Sequence, residues 1–87
     1  MDLNTYNVEF FAKCPGNGVR VKYTLEIQTE ELVMVEDILE FVDENTAKPV
    51  YHEQIADAFA GMFPGIQVMR ADHHGVHIET VRGHRND

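Results

Sequence analysis

The stretch Pro15-Gly16-Asn17-Gly18-Val19-Arg20-Val21-Lys22-Tyr23-Thr24-Leu25-Glu26-Ile27 decides how the chain folds. Within it Val19, Val21, Tyr23, Leu25 and Ile27 alternate with Arg20, Lys22, Thr24 and Glu26. Successive side chains of a strand point to opposite faces, so this period of two predicts a strand with one buried face. Upstream, Tyr6, Val8, Phe10 and Ala12 alternate in the same way against Asn7, Glu9, Phe11 and Lys13. Between the two runs lie four turn-forming residues, Pro15 to Gly18. Taken as the loop, they pair Cys14 with Val19, Ala12 with Val21, Phe10 with Tyr23 and Val8 with Leu25. Every apolar partner then falls on one face, whereas a slip of one residue would set apolar positions against polar ones. Phe11 interrupts the polar face opposite Lys22. It either packs on the lysine stem or touches another chain.

Working outward, the middle of the chain changes period. Leu32, Val35, Ile38, Leu39 and Val42 recur at three- and four-residue spacing, with Glu36, Asp37, Glu40, Asp43 and Glu44 on the other side. That spacing predicts an amphipathic helix. Thr29 is its expected N-cap, and Glu30 and Glu31 would suit the positive end of the helix dipole. Residues 32–35 are apolar throughout, which leaves the helix start open by several residues. After a loop at 45–49, Ile55, Phe59, Met62 and Phe63 mark a second helix, with Glu53 and Asp57 opposite and Pro64-Gly65 as its stop.

A second hairpin follows, with strands at 66–71 and 76–81 around Asp72-His73-His74-Gly75. A loop of two residues or of four gives the same facing parity. Met69, Ala71, Val76 and Ile78 share one face, while Arg70, His77 and Glu79 share the other with Val68 and Val81. With a two-residue loop, Arg70 faces Glu79 and Asp72 faces His77. The tail from Gly83 to Asp87 is expected to be loose. The order strand, strand, helix, helix, strand, strand predicts an α+β fold, a ββααββ two-layer sandwich. It has a four-stranded antiparallel sheet with two helices on one face.

The whole chain reads as a single domain, residues 1–87, with an ordered core over about 5–82. Fifteen acids against seven bases give a net charge of −8, and there is one Cys and no Trp. From this composition no transmembrane helix, signal peptide, disulfide framework or cysteine-based zinc finger is expected. It speaks against direct nucleic-acid binding, because the phosphate backbone would repel the chain. A cytoplasmic globular domain without a membrane partner is the expectation. Between Glu26 and Asp57 stand ten acids and one base, Lys48, so the excess charge belongs to the helices.

Three stretches carry a resemblance. Cys14-Pro15-Gly16-Asn17-Gly18 ahead of the second strand, Met34-Val35-Glu36-Asp37-Ile38 with His52-Glu53-Gln54-Ile55-Ala56, and the hairpin at 66–78 are together similar to the tunnelling-fold family. That family contains the 6-pyruvoyltetrahydropterin and 6-carboxytetrahydropterin synthases. The resemblance implies subunits that close their sheets into multi-chain barrels. It also implies a zinc enzyme, but here the chain departs from the pattern. The family's His-Gly-His ligands fall on Val19, Arg20 and Val21, and valines bind no metal. The place of its pterin-anchoring glutamate falls on Arg70, and that of its nucleophile on Cys14, with no His nearby in sequence to activate the thiol. Loss of the zinc-dependent activity is the expectation, and no cofactor is called for.

Other chemistry is sparse. Asp72, His73, His74 and His77 are ligand types suited to Zn²⁺ or Ni²⁺, with Asp72, His73 and His77 the set to examine. Alternation separates His73 from Asp72 and His77, so the ordinary reading is an exposed polar turn. Cys14, Arg70, His77 and Glu79 are the candidate ligand-binding residues. Cys14 is expected on the buried face, where a free thiol is usually inert. His52-Glu53 is a weak acid–base candidate, since adjacent residues at a helix start point apart. Gly16-Asn17-Gly18 joins antiparallel strands and opens no phosphate-holding helix. Phe11 with Glu36, Asp37, Glu40, Asp43 and Glu44 is the candidate partner-binding set. Three functions follow: a non-catalytic domain that self-associates and binds a partner or ligand; a divergent tunnelling-fold enzyme or pterin/purine-type binder with an inter-subunit pocket; and an acidic inhibitor or nucleic-acid mimic of a basic protein.

Overall fold

In a computed structural model that describes residues 2–83, the strands are β1 (Asn4–Lys13), β2 (Arg20–Thr29), β3 (Ile66–His73) and β4 (Val76–Arg82). The helices α1 (Val35–Thr46) and α2 (His52–Met62) lie between β2 and β3. The strands form one antiparallel sheet in the order β1-β2-β3-β4, as the alternation predicts. The β1–β2 register is the expected one: Ala12 faces Val21, Phe10 faces Tyr23 and Val8 faces Leu25. Beyond the strands, the Cys14 amide donates to the Val19 carbonyl at 2.9 Å. The second hairpin takes the two-residue loop, so Arg70 faces Glu79 and Asp72 faces His77. His74 and Gly75 both have positive φ, 52° and 87°, the signature of the tight hairpin turn that matches strand twist.

Both helices cover one face of the sheet, α1 over β1 and α2 over β3 and β4. Between the layers lies the core, including Phe10, Tyr23, Leu25, Ile27, Ile55, Phe59 and Met69. Phe59 is its hub: its ring stacks on Phe10 and Phe63 and meets Phe41 edge-on at 4.9 Å. Gly65, with φ at 88°, makes the turn into β3; a Cβ there would run into the Gln28 carbonyl. Only glycine fits both constraints.

The start of α1 differs from the expectation. Thr29 is not an N-cap but the last residue of β2, and its hydroxyl accepts the Glu31 amide at 3.1 Å. The helix begins at Val35 with Glu36 and Asp37, rather than Glu30 and Glu31, in its first turn. Residues 32–34 lead into it without regular structure, and Val33 is buried while Leu32 and Met34 point outward. The Val33 amide donates to the Tyr6 hydroxyl at 3.0 Å, which fixes that choice. Consequently α1 buries Ile38 and Val42, and Val35 and Leu39, expected in the core, are exposed. Met62 on α2 is exposed as well, and Val76 shares the helix-side face with Ala71 but lies uncovered on the edge strand. The tail expected to be loose lies, apart from Gly83, outside the described residues.

Candidate functional site

Two hairpin tips and the start of α2 meet at one end of the molecule. The amide of Asn17, in the first turn, meets Nε2 of His74, in the second, at 3.2 Å. Beneath them the helix-side parity of the strands puts Tyr23 on β2 and His73 on β3 on the inner face. His52 opens α2 directly above: its ring is 5.4 Å from that of Tyr23, and the residue is only 3% exposed. Among the described residues neither nitrogen of His52 makes a hydrogen bond of ordinary geometry, although the Met69 backbone lies close enough to act on the ring, and Nε2 of His73 is buried without a partner. An unpaired buried polar atom is costly, so three in one small region mark it as unusual.

Burial holds the His52 imidazole below its ordinary pKa. The Glu53 carboxylate and the nearby Met69 backbone oppose that shift, whereas His73 and Arg82 reinforce it. The Tyr23 phenol is pushed up, first by burial and then by electrostatic repulsion from Cys14 and Glu53. The region therefore holds a neutral imidazole and a protonated phenol at neutral pH. Cys14 is half-buried at its rim: a Cβ on Gly16 would sit 3.8 Å from the Cys14 sulfur and 4.0 Å from the Tyr51 hydroxyl. No hydrogen bond joins the thiol to an imidazole among the described residues, so the pairing that activates a nucleophile is not formed.

The other predicted ligand residues lie on the far face of the sheet. Arg70 Nε meets Glu79 Oε2 at 3.1 Å, and His77 Nδ1 meets Asp72 Oδ2 at 3.3 Å. With Lys22 and Thr24 they line a shallow basin of about 440 Å³. Cys14 belongs to the opposite face, so the set Cys14, Arg70, His77 and Glu79 is not brought together. The proposed metal set divides the same way, His73 inward and Asp72 with His77 outward. Among the described residues no three His, Cys, Asp or Glu side chains gather as metal ligands. The exposed pairs are worth at most about 1 kcal/mol each.

Phe11 faces Lys22 as expected, but it is the Arg20 guanidinium that covers its ring, 4.1 Å from the centroid. Arg20, Lys13 and Lys48 line a concavity of about 310 Å³ beside it, at the β1 edge. Glu36, Asp37, Glu40, Asp43 and Glu44 are all exposed along α1, with no cation paired to them among the described residues. Neither periodicity nor spacing hints at the His52–His73–Tyr23 grouping. His52 and His73 are 21 positions apart; the pairing of β2 with β3 brings Tyr23 towards His73, and the packing of α2 on the sheet brings in His52.

In comparisons with protein-family models, curated proteins and solved structures, the chain matches none.

Proposed function

We propose that the chain is a non-catalytic binding domain that works as a homo-oligomer, its subunits joined at the free edges of the sheet. The carrying observation is β4. All seven residues of this edge strand are at least partly exposed, with Val76 at 62% and Val81 at 53%. Monomeric proteins protect such edges with proline, lysine, bulges or a covering segment. β4 has neither a proline nor a lysine, its charged Glu79 and Arg82 are engaged by Arg70 and Asp57 of the same subunit, and the ten-residue β1 forms the opposite edge. Main-chain pairing between edges would satisfy both and cover the valines. Sedimentation should show a multimer, and Val76→Lys with Val81→Lys should move the mass towards the monomer. Because both valines are exposed in the single subunit, the variant should melt within about 1 kcal/mol of the parent. A strict monomer at every concentration overturns the reading.

A second reading, a divergent tunnelling-fold ligand binder with an inter-subunit pocket, is favoured by the unpartnered imidazoles. His73 sits opposite Val76, beside the free edge that a neighbouring subunit would cover. A ligand there would supply a donor and an acceptor to ring nitrogens that lack partners. Quenching of pterin fluorescence by the protein, abolished in His73→Ala, supports this reading. Absence of quenching in an assembled oligomer overturns it.

A further inference from the structure

The structure points to a second surface. We propose that the outer face of α1 and the segment leading into it form a docking site for a basic amphipathic helix of a partner protein. This rests on the reading of the chain as a binding domain but not on its self-association. Leu32, Met34, Val35 and Leu39 are 80%, 52%, 55% and 51% exposed, four large apolar side chains within eight residues. Val35 and Leu39 are one helical turn apart and share a face of α1. Leu32 and Met34 are turned outward because Val33, between them, is held inward by the bond to Tyr6. The exposure is therefore built in rather than a frayed end. Large apolar side chains exposed this close together mark an interaction site.

Charge selects the occupant. The patch is flanked by Glu31, Glu36 and Glu40, all exposed and without a paired cation among the described residues. An anionic lipid surface or nucleic acid would be repelled. A helix presenting leucines on one side and lysines along the flanks satisfies both features: apolar anchors at three- and four-residue spacing, and cations over the acids.

The probe is a fluorescein-labelled designed helix of leucine and lysine with its leucines on one face, titrated with the full chain by anisotropy. The control is a scrambled peptide of identical composition. The expected result is saturable binding, at least about tenfold tighter than for the scramble. Leu32→Ser with Leu39→Ser should weaken it about tenfold or more while the melting transition is kept. Glu36→Gln with Glu40→Gln should flatten its salt dependence. Equal binding of the scramble overturns the proposal, since net charge alone would then account for it. So does an unchanged affinity in the leucine variant. A leucine variant that lowers the sedimenting mass also overturns it, because a second copy would then be the occupant. Peptide binding by a chain that sediments as a monomer would sink the edge-pairing reading and leave this one standing.

Discussion

His52 puts a measurable pH dependence on a single side chain. Its folded-state pKa is depressed by burial, while the unfolded chain keeps the ordinary value near 6.5. Above that value both states hold the neutral imidazole, and the group contributes nothing to pH dependence. As the pH falls below about 6.5, the unfolded chain takes up a proton that the folded one resists, so stability is lost. Chemical denaturation between neutral and mildly acidic pH should show that loss, and His52→Phe should remove its onset near 6.5. An unchanged profile in the variant would move the effect to another group. His52 was legible only as a neighbour of Glu53. Its burial was not, because a histidine at a helix start is ordinarily exposed, and the Tyr23 ring that packs on it comes from β2, 29 positions earlier.

At the scale of elements, the first hairpin was readable to the residue, the second to its facing parity, and α1 to neither. Alternation and turn length are independent signals, and in the first hairpin they agreed on one register. In the second a loop of two or four residues stayed open, and the structure takes the two-residue turn His74-Gly75. The run 32–35 offers apolar residues in every phase, so periodicity could not separate the extended lead-in from the helix. The phenol of Tyr6 decided it, a contact 27 residues away in sequence. Gln67 shows a second device invisible to patterning. It is 3% exposed on β3, and its amide donates to the carbonyls of Phe59 and Phe63, at 3.1 and 2.9 Å. Both carbonyls lie at the C-terminal end of α2: that of Phe59 also accepts the Phe63 amide at 2.9 Å, so there Gln67 adds a second bond, whereas the C-cap carbonyl of Phe63 lies beyond the helix's own bonding. Gln67→Leu should therefore destabilise the fold by about 1–3 kcal/mol by urea denaturation, although it swaps a polar for an apolar buried side chain. A neutral or stabilising result would mean that the cap is dispensable.

For the whole molecule the figure of −8 resolves into a distribution. Acids concentrate on the helical layer, whereas Lys22, Arg70 and Arg82 are each matched by a carboxylate. Two kinds of association then respond oppositely to salt. Copies of the same chain repel one another, so screening should strengthen self-association. A cationic helix is attracted, so screening should weaken docking. Sedimentation and anisotropy run over the same salt series should give slopes of opposite sign. Slopes of equal sign would show that one of the two contacts has been assigned to the wrong surface.

The bond between Tyr6 and Val33 carries a consequence for communication between these surfaces. Tyr6 belongs to the edge strand β1, and Val33 sets which neighbours face outward. One phenol thus makes the sheet edge and the α1 lead-in a single mechanical unit. Any partner that reshapes β1 acts on the presentation of Leu32 and Met34, and linkage makes the effect reciprocal. Tyr6→Phe removes the hydroxyl and keeps the ring, and in that variant occupancy at one surface should cease to alter affinity at the other.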